Sequence, residues 1–155
     1  MTSLAPPAEL STILASLGRD ATARVRKAIR PLGLGAQQYL VLTQLRDLGP
    51  SSQAELAAAL GLDPSNLAAA IAELVDRQLV DRCRSDEDRR RYSVGLAASG
   101  AELLALANAA IAETETELVA GLSTSEQQQL EVLLRRLANR IDLCPGPISE
   151  TDIDH

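Results

Sequence analysis

Between Ser51 and Gly100 the chain carries two capped helical segments around a glycine, followed at once by an arginine-rich β segment. Ser52-Gln53-Ala54-Glu55 has the form of a capping box, in which serine and glutamate satisfy each other's free amides. It opens a short helix, Gln53 to Leu60, whose buried side is Leu56, Ala57 and Leu60. Gly61 supplies the left-handed residue that a tight turn needs, and Leu62 ties the turn to the core. Asp63 then caps a second helix, and Pro64 sits at its first position, where a missing N–H costs nothing. That helix is expected to run to about Gln78, with Leu67, Ala70, Ile71, Leu74 and Val75 facing inward. A strand over Leu79–Arg84 should return through Ser85-Asp86-Glu87-Asp88 into Arg89–Val94, forming a two-stranded wing. A helix presented by a tight turn, with a basic hairpin beside it, suits insertion into a DNA groove.

Helices are expected on both sides of this unit. Residues 8–30 place Leu10, Ile13, Leu14, Leu17, Ala21, Val25, Ala28 and Ile29 at amphipathic spacing, closed by Pro31 and Gly33. Residues 36–48 repeat the pattern with Tyr39, Leu40, Leu42, Leu45 and Leu48, stopped by Gly49-Pro50. Ser99-Gly100-Ala101-Glu102 reads as a second capping box opening a long helix to about Ala120, which Gly121 ends. Ser123-Thr124-Ser125-Glu126 repeats the device before a helix striped by Leu130, Leu133, Leu134, Leu137 and Ile141. Pro145-Gly146-Pro147 breaks it, and residues 144–155 form an acidic tail expected to be flexible.

The expected fold is thus mainly α: a winged helix-turn-helix of about six helices and a two-stranded wing. It forms one domain over residues 6–143, with the winged helix at about 34–96. The helices over 8–30 and 99–143 exceed what such a core needs, and their apolar stripes have little to cover within one chain. A twofold homodimer built from these terminal helices is expected.

Composition narrows the function. A chain of 155 residues supports one ordinary domain. Its apolar runs fall well short of the ~20 residues that a membrane span needs. The N-terminus lacks the features of a signal peptide, so a cytoplasmic protein without membrane contact is expected. Cys83 and Cys144 are too few for a disulfide framework, and the one histidine is His155, so neither a metal site, a cofactor site nor an enzyme is expected. Cys83, flanked by Arg82 and Arg84, invites a redox reading beside the plainer one of a small strand residue. The formal net charge of −6 is unevenly placed: five arginines stand at Arg82, Arg84, Arg89, Arg90 and Arg91, while acids crowd Glu113, Glu115, Glu117 and the tail. Screening confines surface fields to roughly 10 Å at 0.1 M salt, so placement outweighs the total.

From about Ala8 to Ile141 the order of elements resembles the multiple-antibiotic-resistance-regulator (MarR) family of bacterial winged-helix repressors. The resemblance is carried by Gln53-Ala54-Glu55-Leu56-Ala57, Gly61-Leu62-Asp63-Pro64-Ser65, Leu79-Val80 and, most specifically, Asp88-Arg89-Arg90-Arg91-Tyr92-Ser93-Val94-Gly95-Leu96. It implies that Arg90 enters the minor groove from the wing tip, held by Asp88, a role that suits arginine better than the more hydrated lysine. Arg89 and Arg91 are then phosphate contacts or solvated charge. Ser65 and Asn66, in the first turn of the second helix, would reach the major groove, unless they merely extend the Asp63 cap; asparagine can pair with both N6 and N7 of adenine. Ser52 and Gln53 are phosphate contacts or simple caps. Two departures stand out. Ala69 occupies a position where many relatives carry arginine, and Leu96-Ala97 replaces the usual Leu-Thr, so that Ser99 with Glu102 should start the next helix about two residues later. The family further implies repression and modulation by a small ligand; the twofold dimer calls for a near-palindromic operator, and a lining of aliphatics near Tyr39 and the first helix suits an apolar or phenolic ligand. A winged-helix protein–protein module is the rival reading, favoured by Ala68-Ala69-Ala70 and the acidic total.

Overall fold

The computed structural model describes residues 9–84 and 92–140. Helix α1 (Glu9–Ile29) runs into a 3-10 turn at Arg30–Leu32, where Pro31 fits the first turn and Gly33 closes it at φ 69°. Helix α2 (Ala36–Leu48) starts at Gly35, whose N–H donates to Gln38 Oε1 at 3.0 Å. A two-residue strand β1 (Ser51–Ser52) precedes α3 (Gln53–Leu60) and α4 (Pro64–Asp76). Strands β2 (Val80–Arg84) and β3 (Tyr92–Leu96) lead into α5 (Ala98–Leu118) and α6 (Thr124–Arg140).

The sheet has three strands, not the expected two. Ser51 and Ser52 pair antiparallel with Val94 and Ser93, so the order is β1-β3-β2. The chain entering the capping box is extended at Ser52, with φ −72° and ψ 158°, and that same extension lets it add a rung to the wing. Ser51 is accordingly buried.

The core lies where α2, α3, α4, α5 and the sheet meet. Val41, Leu42, Leu45, Leu56, Leu67, Ile71, Leu74, Val80, Val94, Leu104 and Ala107 are almost fully enclosed. Each leucine, isoleucine or valine among them contributes about 1.5–3 kcal/mol when removed from water. The inward face expected for α4 is the observed one, with Leu67, Ala70, Ile71 and Leu74 buried and Val75 half-buried. From α1 only Ile29 is fully buried. Leu10, Ile13, Leu14 and Leu17 are exposed, as are Leu130, Leu133, Leu134 and Leu137 of α6.

Helix starts follow the predicted caps at three of four places. Ser52 and Glu55 form their box, Asp63 Oδ1 accepts from the N–H groups of Ser65 and Asn66 at 2.8 and 3.4 Å, and Ser123 with Glu126 repeats the box. There the Ser123 bonds hold the Glu126 carboxyl below its ordinary range. The fourth expectation fails. Helix α5 starts at Ala98 with Ala97 as an N-cap that offers no side-chain bond. Ser99 Oγ instead donates to the backbone oxygen of Gln78 at 2.6 Å. A tertiary acceptor outcompetes the local one, because Ala97 N–H already bonds Leu79 O at 3.1 Å and brings the two backbones together. Helix α5 also ends at Leu118, ahead of Gly121.

Candidate nucleic-acid interface

The turn between α3 and α4 follows from Gly61, which at φ 61° lets Leu62 N–H reach back to Ala57 O at 3.1 Å. This closure swings α4 out across α3. With Leu67, Ala70, Ile71 and Leu74 committed to the core, the opposite face of α4 is left to Ser65, Asn66, Ala68, Ala69, Ala72 and Glu73. The Ser65 and Asn66 backbone amides are taken by Asp63, while their side chains stand exposed in the first turn.

Asn66 and Ala69 border a shallow depression of about 210 Å³ whose far side is Gly35, Ala36 and Gln37 at the start of α2. Gln38 crosses beneath it: its Oε1 accepts from Gly35 N–H and its Nε2 donates to the Glu73 carboxylate. The start of α2 is thereby pinned to the side of α4. Arg77, just after α4, adds a second tie, donating through Nη1 to Gly33 O at 2.5 Å and through Nη2 to Leu32 O at 3.2 Å.

The Ser52 hydroxyl is engaged on both sides, donating to Glu55 Oε2 at 2.8 Å and accepting from Glu55 N–H at 3.3 Å. Gln53 is exposed and lines a groove with Arg82, Tyr92 and Val94, between the start of α3 and the sheet. Arg82 and Tyr92 were not singled out as contacts from the sequence, although counting alternate residues back from Val94 reaches Tyr92 on the same face. Asp88, Arg89, Arg90 and Arg91 lie outside the described residues. Tyr39 is half-buried, and its hydroxyl donates to Asn108 Oδ1 at 2.9 Å, joining α2 to α5. Cys83 is a free, exposed thiol. Among the described residues no cluster of His, Cys, Asp or Glu could hold a metal ion, and no helix is long and apolar enough to cross a membrane.

A capped helix carried across a shorter one, beside a three-stranded antiparallel sheet and flanked by long helices, defines a winged-helix protein. Residues 32–91 match the sequence model of the MarR family. The fold agrees: the apo form of Escherichia coli MarR superposes with a TM-score of 0.74 at 24% identity, over 83% of this chain and 96% of that one. A MarR-family regulator from Rhodococcus gives 0.72 at 27% identity, over 88% and 96%. A MarR-family protein from Mycobacterium tuberculosis, solved with salicylic acid, gives 0.71 at 28% identity, over 86% and 99%. A cysteine-to-serine mutant of E. coli MarR in complex with operator DNA gives 0.70 at 22% identity, over 88% and 99%. Over residues 32–91 the chain is thus similar in sequence to the MarR family, and its fold over most of its length is that of MarR-family winged-helix transcriptional regulators.

Proposed function

We propose that this regulator is a repressor that binds a near-palindromic operator as a homodimer. The observation that carries the reading is the first turn of α4, where capping leaves Ser65 and Asn66 exposed and free of core duty. In this reading residues 6–143 act as one unit, with the winged helix at about 34–96 and dimerisation helices at about 8–30 and 99–143. The exposed leucines of α1 and α6 support the dimer, since stripes of that length are otherwise left in water. Two α4 helices then read half-sites about one DNA turn apart. Asn66 and Ser65 face base edges, and Ala69 leaves room against a thymine methyl group. Ser52 and Gln53 lie along the phosphates, and Arg90, oriented by Asp88, enters the minor groove between Arg89 and Arg91.

A small apolar or phenolic effector, bound near Tyr39 and α1, would release the DNA by favouring the dimer geometry that does not fit the operator. Half-buried Arg26 on α1 supports an acidic phenolic ligand, because its Nη2 is enclosed without a hydrogen-bond partner among the described residues. The salicylic acid on the M. tuberculosis relative is such a molecule.

The test is quantitative DNA binding with the chain's own upstream region. Arg90→Ala should weaken operator binding about tenfold or more while leaving the dimer intact, and Asn66→Ala should relax sequence preference more than it weakens non-specific binding. The smooth alanine face of α4 (Ala68, Ala69, Ala72) favours one second reading, a protein–protein module. Wild-type affinity in both variants would support that reading and remove the first.

A further inference from the structure

The groove between the start of α3 and the wing carries chemistry that the base-reading helix does not use. In antiparallel register Arg82 stands opposite Val94 and Arg84 opposite Tyr92, so Arg82, Val94 and Tyr92 share one face of the sheet. Val94 is buried and anchors that face to the core, while Arg82 and Tyr92 project beyond it into solvent. On the other edge of β3, Ser51 pairs with Val94 and Ser52 with Ser93, which brings Gln53 level with Tyr92. Gln53, Arg82, Tyr92 and Val94 together enclose a groove of about 280 Å³. It therefore has a guanidinium, a phenol and a carboxamide at its rim, and an apolar floor.

Among the described residues, α3 and the strands carry two acids, Glu55 and Asp81. Glu55 is folded back onto Ser52, whose N–H and hydroxyl it accepts at 2.7 and 2.8 Å. Asp81 pairs with Gly95 on the opposite face of the sheet. The groove thus collects donors for an anion beside no facing carboxylate of its own strands.

We propose that this groove is a phosphate cradle for the DNA backbone, in which Arg82 supplies the charge and Tyr92 and Gln53 supply neutral hydrogen bonds to one phosphodiester. The proposal rests on the DNA-binding reading above and adds Arg82 and Tyr92 to its contacts. Its position between α3 and the wing suits a strand passing from the groove read by α4 to the groove met by the wing. Such a contact positions the protein without reading sequence.

The decisive measurement is the salt dependence of duplex binding by fluorescence anisotropy, on operator and on unrelated DNA. Each neutralised phosphate contributes about 0.9 to the slope of log K against log salt. A dimer carrying Arg82→Gln twice should lose about 1.8 from that slope, so between 50 and 200 mM salt its affinity should fall about twelvefold less than that of wild type. The loss should be equal on both DNAs. Arg82→Lys should retain the wild-type slope, and Tyr92→Phe, which removes one hydrogen bond per subunit, should weaken binding about tenfold with the slope unchanged. An unchanged slope in Arg82→Gln, or a loss confined to operator DNA, overturns the cradle while leaving the DNA-binding reading in place. Wild-type protein that binds neither duplex at any salt removes both.

Discussion

Gly100 lies two residues into α5, where the helix runs against the backbone leaving α4. A Cβ placed there would lie 2.0 Å from Leu79 O, 3.0 Å from the Leu79 carbonyl carbon and 2.9 Å from Leu96 Cδ1. The first two neighbours are main chain and cannot rotate away. Helix propensity alone predicts that Gly100→Ala stabilises the protein by about 1 kcal/mol. Packing predicts the reverse. Overfilling a rigid site costs about 1–3 kcal/mol, and a shift large enough to relieve it also stretches the Ala97–Leu79 and Ser99–Gln78 hydrogen bonds, each worth about 1 kcal/mol. After subtracting the propensity gain, the net expectation is a loss of about 2–4 kcal/mol. For a chain of this size that lowers the thermal midpoint by roughly 5–15 °C. Circular dichroism at fixed protein concentration measures it, since the midpoint of any associating protein depends on concentration. A midpoint equal to or above that of wild type refutes the packing argument, because only the propensity effect would then remain.

Other consequences can be checked in the same way. Gln78 is the one non-glycine at positive φ among the described residues, at 58°, so Gln78→Gly should raise stability by about 0.5–1 kcal/mol, seen as a midpoint some 2 °C higher. Asp63→Ala removes the acceptor for two α4 amides and should cost about 1 kcal/mol in denaturant unfolding, whereas Asp63→Asn, which still caps, should lie within a few tenths of wild type. Leu133→Glu places a charge on the exposed stripe of α6 and, on the proposed dimer, should halve the mass found by light scattering while leaving helix content unchanged; an unaltered mass would refute a dimer contact through this stripe.

What could be read from the sequence were features whose physics is local. Gly61 and Asp63 announce the helix-turn-helix because a left-handed residue and an N-terminal oxygen acceptor are needed within a few residues of each other, whatever surrounds them. The inward face of α4 was equally plain, since Leu67, Ala70, Ile71 and Leu74 recur at helical spacing. Strand β1 was hidden because Ser51 and Ser52 look the same whether they cap a helix or also pair with β3; the second role depends on residues about forty positions away. Ser99 misled for a related reason. Its hydroxyl fits a local capping box, but the backbone of Gln78 is brought within 2.6 Å by packing that no short window contains. The groove of Arg82 and Tyr92 was invisible until strand register was known, although the arginines themselves marked the region as basic.

Several contacts that the sequence hid meet at one place, the end of α4. Gln78 turns the chain there in a left-handed conformation, Leu79 N–H closes on Leu74 O at 2.9 Å, and Leu79 O accepts from Ala97 at the threshold of α5. Arg77 reaches from the same turn to Leu32 and Gly33, where the chain leaves α1 for α2. Helix α4 is thus fastened at its C-terminal end to the ends of both long flanking helices, while Ser65 and Asn66 in its Asp63-capped first turn remain exposed. The close approach of Leu79 to α5 requires Gly100, because it leaves no space for a side chain at the contact, and it is specified by tertiary packing, which the local sequence does not display.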